Sequence, residues 1–297
     1  MKQAGFFADY ARSLKDPAAE EIIDLLLFRP LGYLFAKIFI PFPITPNQVS
    51  YLAMAAGIGA GIFLSKGTPG SVMAGGILYG LSNILDCSDG MLARIKGNGS
   101  PTGRIVDGVV DYITGISVYI GLGIGLSRAV RLGLLHVPLN AWILVAIAAA
   151  STVFHAILSD KYRNAYLNRH STGTAGGQSE SEKFTSELSR LDGVKGKLID
   201  RALIRLYLKY VKLQAGKAPS QGRKAPANAP ASITPAKVIA WNLIGPSTHV
   251  TFFILAAVLY KPLVLFCFVA GVGNVWMIAL MVSGAISSQR QARWHKM

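Results

Sequence analysis

Apolar runs recur along the chain near residues 48–65, 70–92, 103–127, 140–160, 237–260 and 262–287. Each is close to the roughly 20 residues a helix needs to cross a hydrocarbon core, so the pattern predicts an all-α fold, a bundle of six transmembrane helices. The stretch 20–43 is also apolar, but Asp24, Arg29 and Lys37 interrupt it and Pro30 is expected to break its helix in two. It reads as a pair of N-terminal interfacial helices, not as a span. Thr45-Pro46-Asn47 then reads as a helix start, because a threonine cap followed by proline satisfies orphan amides and presets the backbone. The first span begins there.

A polar stretch of 76 residues, Lys161 to Ala236, separates the fourth and fifth apolar runs. Its first part, NRHSTGTAGGQSESEK, has the small polar composition of a loop, and 215–232 is a Pro/Ala/Lys linker. Between them, Leu198, Leu203, Leu206, Tyr210 and Leu213 recur at helical spacing among Lys195, Lys197, Arg205, Lys209 and Lys212. This is a basic amphipathic helix, expected to lie on the anionic inner leaflet. The chain therefore divides into an N-terminal juxtamembrane segment (1–44), four spans (45–160), a cytoplasmic insertion (161–236), and two further spans with a basic C-terminus (237–297).

Composition agrees with a membrane setting. The mean hydropathy is +0.41, with 52% hydrophobic and 15% charged residues, too apolar for an ordinary soluble domain. The N-terminus is polar and acidic where a cleavable signal would need an apolar core, so the first membrane segment is expected to be internal and retained. A net charge of +15 could suggest a nucleic-acid partner, but topology accounts for it without one. Six spans place 26 of the 30 Lys and Arg residues on the side of both termini, and leave Lys66, Arg128, Arg131 and Lys261 opposite. That asymmetry orients the termini and the 161–236 loop toward the cytoplasm, in a multi-pass protein of the inner membrane. Cys87 and Cys267 lie far apart in apolar stretches, which argues against a disulfide and excludes CxxC metal binding.

Four of the fifteen acidic residues fall in one segment, DCSDGMLARIKGNGSPTGRIVDGVVD, at 86–111. A charged side chain in a membrane helix costs about 2.5–3.5 kcal/mol, so four uncompensated carboxylates require neutralisation. Asp86 and Asp89 are spaced i, i+3 on one helix, and Asp107 and Asp111 i, i+4 on the next, so each pair shares a face. A helical hairpin would bring the two faces together. Hard oxygen ligands of this kind suit magnesium, manganese or calcium. Salt bridges to Arg94 and Arg104, or a cation or proton pathway in a transporter, are the competing readings. Gly90 and Gly103 leave room for a ligand near the backbone, and Arg94 offers a fork of donors to phosphate oxygens. His155 and His249 are read as histidines that satisfy neighbouring backbone groups, and Trp142, Trp241 and Trp276 as membrane residues.

The segment fits D-x2-D-G-x2-A-R-x8-G-x3-D-x3-D at every fixed position: Asp86, Asp89, Gly90, Ala93, Arg94, Gly103, Asp107 and Asp111. It resembles the CDP-alcohol phosphatidyltransferase family. The resemblance implies two Mg2+ or Mn2+ ions held by Asp86, Asp89, Asp107 and Asp111, with Asp111 also acting as base. It places Gly90, Ala93, Arg94, Ser100 and Gly103 at positions associated with the cytidine nucleotide or its diphosphate. The implied reaction moves a phosphoryl-alcohol group from a CDP-alcohol onto an acceptor alcohol or phosphorylated polyol and releases CMP, within phospholipid or polyol phosphodiester synthesis. A homodimer among membrane lipids is implied as well. Lys161, Arg163 and Arg104 are candidate cations for a phosphorylated acceptor.

Overall fold

The computed structural model describes residues 10, 14, 20–99, 101–170, 180–192, 198–215 and 234–294. Among them every regular element is helical. A π-helical turn at Asp24–Phe28 leads into α1 (Arg29–Phe39), so the helix runs through Pro30 where the sequence predicts a break. The wider π turn accommodates the amide that proline lacks, and the chain stays helical across it. One face of α1 buries Tyr33 and Ala36, while Leu34 and Ile38 on the other remain exposed.

The next helix, α2 (Pro46–Leu64), starts as the sequence indicates. The Thr45 hydroxyl accepts from Gln48 N at 3.3 Å, and Gln48 Oε1 accepts from Thr45 N at 2.8 Å. This closes a capping box with proline in the first turn. Helix α3 (Pro69–Lys96) ends at Gly97, whose φ of 64° favours glycine. Helix α4 (Pro101–Arg131) follows. Lys96 at the end of α3 donates to the carbonyls of Ile44 and Phe42, at 2.8 and 3.0 Å, and ties that end to the loop before α2.

Helices α3 and α4 pack mainly on α2, not on each other. Glycine makes this possible on the α4 side: a Cβ on Gly61 would collide with the Ser117 carbonyl, and one on Gly121 with the backbone of Gly61. Close backbone approach of this kind is how helices associate where water does not drive them together. Around the cleft between α3 and α4, a buried cluster gathers Val49, Ala53, Leu85, Met91, Val106 and Val110 with Tyr33 of α1.

Beyond α5 (Ala141–His170), the insertion contributes α6 (Glu180–Leu191) and α7 (Leu198–Ala215). The amphipathic helix α7 packs on α6 and α4. Ile204 is fully buried, Phe184 and Tyr207 rings meet at 4.5 Å, and Leu203 reaches the cluster beside Val106. Its apolar face is thus occupied largely by protein where the sequence suggests a leaflet; Leu206 stays exposed. Of the linker at 215–232, Ala215 ends α7 and the remainder lies outside the described residues.

The last elements are α8 (Pro235–Asn242), α9 (Pro246–Val258), α10 (Pro262–Phe266), a π segment (Cys267–Gly273) and α11 (Asn274–Trp294). Five stretches are long and apolar enough to cross a membrane: Pro46–Leu64, Thr102–Arg131, Ala141–Leu167, Pro235–Val258 and Pro262–Ile286. Helix α3, at 28 residues, is long enough but not apolar enough to fall in that set. Both cysteines are free. Trp241 is buried and stacked on Tyr162 with ring centroids 4.6 Å apart.

Candidate metal and nucleotide site

The two acidic pairs sit where α3 ends and α4 begins. One carboxylate oxygen from each of Asp86, Asp89 and Asp107 lies within 4.8 Å of the other two. Three charges this close repel strongly, and within the triad Asp86 Oδ1 is buried without a hydrogen-bond partner. An oxygen left in that state is expensive unless a proton or a cation meets it. The donor set is all-carboxylate, which fits a hard divalent ion.

Asp111 is placed differently. It is exposed, one turn further along α4, and lines a small cavity of about 70 Å³ with Tyr79, Asn83, Asp86 and Thr114. Asp111 falls outside the triad, yet Asp86 lines both spaces and joins the two. Helices α3 and α4 pack on α2 more than on each other, which leaves a cleft between them.

That cleft is a cavity of about 710 Å³. Gly90, Ala93, Arg94, Gly103, Arg104 and Asp107 line it with Asp86 and Asp89. At Gly90, a Cβ would have only the Arg94 guanidinium within 4 Å, so the backbone there is open to the cavity. Ser100 lies outside the described residues. Of the cations suggested for an acceptor, Arg104 lines the cavity, whereas Lys161 and Arg163 do not, and Arg163 pairs with Asp160.

Some contributors are not evident from the motif. Ser50 of α2, one turn beyond Pro46, donates to Asp89 Oδ2 and fixes that carboxylate. Pro46 and Asn47, read first as helix-start residues, also line the cavity, as do Asn98 and Arg29. Their only sequence signal is Asn47 and Ser50 falling on the first turns of the capped helix. Arg29, from α1, has none.

The histidines lie elsewhere and pair with side chains. His155 Nδ1 and His249 Nε2 are 3.0 Å apart, and His155 Nε2 meets Asn274 Oδ1 at 3.0 Å.

Comparison with known proteins bears on the same segment. Residues 43–176 match the CDP-alcohol phosphatidyltransferase family. A "Bifunctional IPC transferase and DIPP synthase" of Rubrobacter xylanophilus is 37% identical over 84 residues, 28% of this chain and 18% of that protein. A "Phosphatidylinositol phosphate synthase" of Corynebacterium glutamicum is 34% identical over 79 residues, 27% of this chain and 35% of that protein. The chain thus aligns with well under half the length of either relative.

Proposed function

We propose, for a chain whose residues 43–176 belong to the CDP-alcohol phosphatidyltransferase family, that it transfers a phosphoryl-alcohol group from a CDP-alcohol to an acceptor alcohol and releases CMP. The observation that carries this reading is the Asp86, Asp89 and Asp107 triad on the wall of a cavity large enough for a nucleotide. Asp86, Asp89 and Asp107 would hold two Mg2+ or Mn2+ ions, with Asp111 contributing from the next turn. Bound there, divalent ions supply Lewis-acid charge that neutralises the diphosphate and eases departure of CMP. Ser50 orients Asp89, and Arg94 gives its guanidinium to diphosphate oxygens beside the open backbone of Gly90. Asp111, exposed, accepts the proton of the attacking hydroxyl. The P–O bond to CMP breaks as the P–O bond to the acceptor oxygen forms.

In this reading α3 is a sixth span whose acidic end opens to the cytoplasmic face of the inner membrane, and the family setting favours a homodimer among lipids. A phosphorylated polyol acceptor is supported by Arg104 on the cavity wall and by a relative named for phosphatidylinositol phosphate synthesis. The test is release of CMP from a panel of CDP-alcohols by the purified chain in Mg2+, repeated after chelation. Metal-dependent CMP release that requires an added acceptor is expected. Absence of CMP with every donor, together with metal- or proton-driven ion flux in vesicles, would replace this reading with a transporter.

A further inference from the structure

Arg29 enters the large cavity from outside the segment that the family match covers. Its side chain is 11% exposed, and Nε donates to Glu20 Oε2 at 3.0 Å. The pair is not a closed fork. Glu20 Oε1 is buried with no hydrogen-bond partner, so the terminal amino groups of the guanidinium are not committed to it. Glu20 is itself anchored: its carbonyl accepts from Asn242 Nδ2 at 3.2 Å, and Asn242 Oδ1 accepts from Ser159 Oγ at 3.2 Å. The pair is therefore fixed by α5 and the end of α8.

Buried ion pairs stabilise a fold no better, in general, than apolar side chains of the same size. A stability argument alone gives no reason for a charge here. The cavity gives one. Arg29 shares its wall with Asp86, Asp89 and Arg94, and the Arg29 and Arg94 guanidiniums repel each other. A multivalent anion between them relieves that repulsion, and a guanidinium with one edge held still presents its other donors at little entropic cost.

We infer that Arg29 binds a phosphate oxygen of the donor's diphosphate, with Glu20 acting as the positioning residue that holds the guanidinium. This rests on the CDP-alcohol reading above. The N-terminal segment then completes the donor site.

Calorimetric titration of the full chain in detergent and Mg2+, with CDP and then phosphate-free cytidine as ligands, tests this. Arg29→Gln weakens CDP by about tenfold or more, the scale of a charge-assisted hydrogen bond, and leaves cytidine unchanged. Glu20→Gln keeps an acceptor for Nε and loses no more than about threefold for CDP. Unchanged CDP affinity in Arg29→Gln overturns the inference; so do equal losses in both variants or a loss that extends to cytidine, since these mark a structural pair. Should Arg29→Gln not fold, Arg29→Lys is read by the same criteria, its point charge giving a smaller CDP-selective loss. Failure of the unmodified chain to bind CDP at all would instead remove the CDP-alcohol reading itself.

Discussion

Asp111 is exposed and lines the small cavity beside Asp86, outside the triad, and that placement separates two kinds of defect. Asp111→Asn is expected to lower CMP release by about 10²–10⁴-fold, the range for loss of a general base, while CDP binding in Mg2+ stays within a few fold. Full turnover would remove the base assignment. Asp86→Ala, which touches both spaces, is expected to abolish metal-supported CDP binding, measured by calorimetry with and without chelator. Ser50→Ala leaves all four acids in place but frees Asp89. A tenfold to hundredfold rise in the Mg2+ midpoint for activity is expected, on the order seen when a ligand loses its orienting partner. The acids themselves were legible in the sequence, because i, i+3 and i, i+4 spacing fixes a shared helical face. Ser50 was not, since its bond to Asp89 spans 39 positions and a lone serine in an apolar helix has many other readings.

Among the helices, α2 sets the width of the site by packing on both α3 and α4. Its contact with α4 is backbone against backbone at Gly61 and Gly121. Gly61→Ala is therefore expected to destabilise the fold by about 1–3 kcal/mol through overpacking, read as a lower midpoint of thermal unfolding in detergent. Gly70→Ala is the control: a Cβ there meets nothing within 4 Å, and the midpoint should hold or rise slightly. The glycine-rich character of these helices was visible in the chain, and close packing was the expected use. The splaying of α3 from α4 was not visible, because periodicity identifies a helical face without saying which neighbour it meets. The same limit explains α7. Its spacing gave the amphipathic helix, but Phe184 of α6 and the buried cluster that Leu203 packs against are contributed by other elements.

For the whole molecule, apolar length and charge asymmetry indicated an all-α membrane protein, whereas the docking of the N-terminal segment needed coordinates. Residues 20–24 look polar and interfacial in sequence, yet Glu20 and Glu21 are buried against the turn between α8 and α9. Glu21 Oε2 accepts from the amides of Ser247 and Thr248, at 3.1 and 3.2 Å, and so caps α9 from more than 220 residues away. Burial pushes its carboxyl up from the ordinary 4.5 to about 8, helped by the nearby Asp24 charge and opposed by the two amides. Burial raises Asp24 as well. The folded chain thus keeps a proton that the unfolded chain releases, which makes the contribution to stability full below pH 4.5 and lost as pH rises through 8. The slope in that window is at most about 1.4 kcal/mol per pH unit for one proton. Glu21→Gln keeps an acceptor for both amides and cannot titrate. Thermal unfolding followed from pH 5 to pH 9 should therefore fall with pH in the unmodified chain and fall less steeply in Glu21→Gln, where Asp24 still titrates, with similar midpoints at pH 5. Parallel curves for the two proteins would mean that Glu21 is charged in the fold throughout, held so by the α9 amides and the helix dipole against the cost of burial.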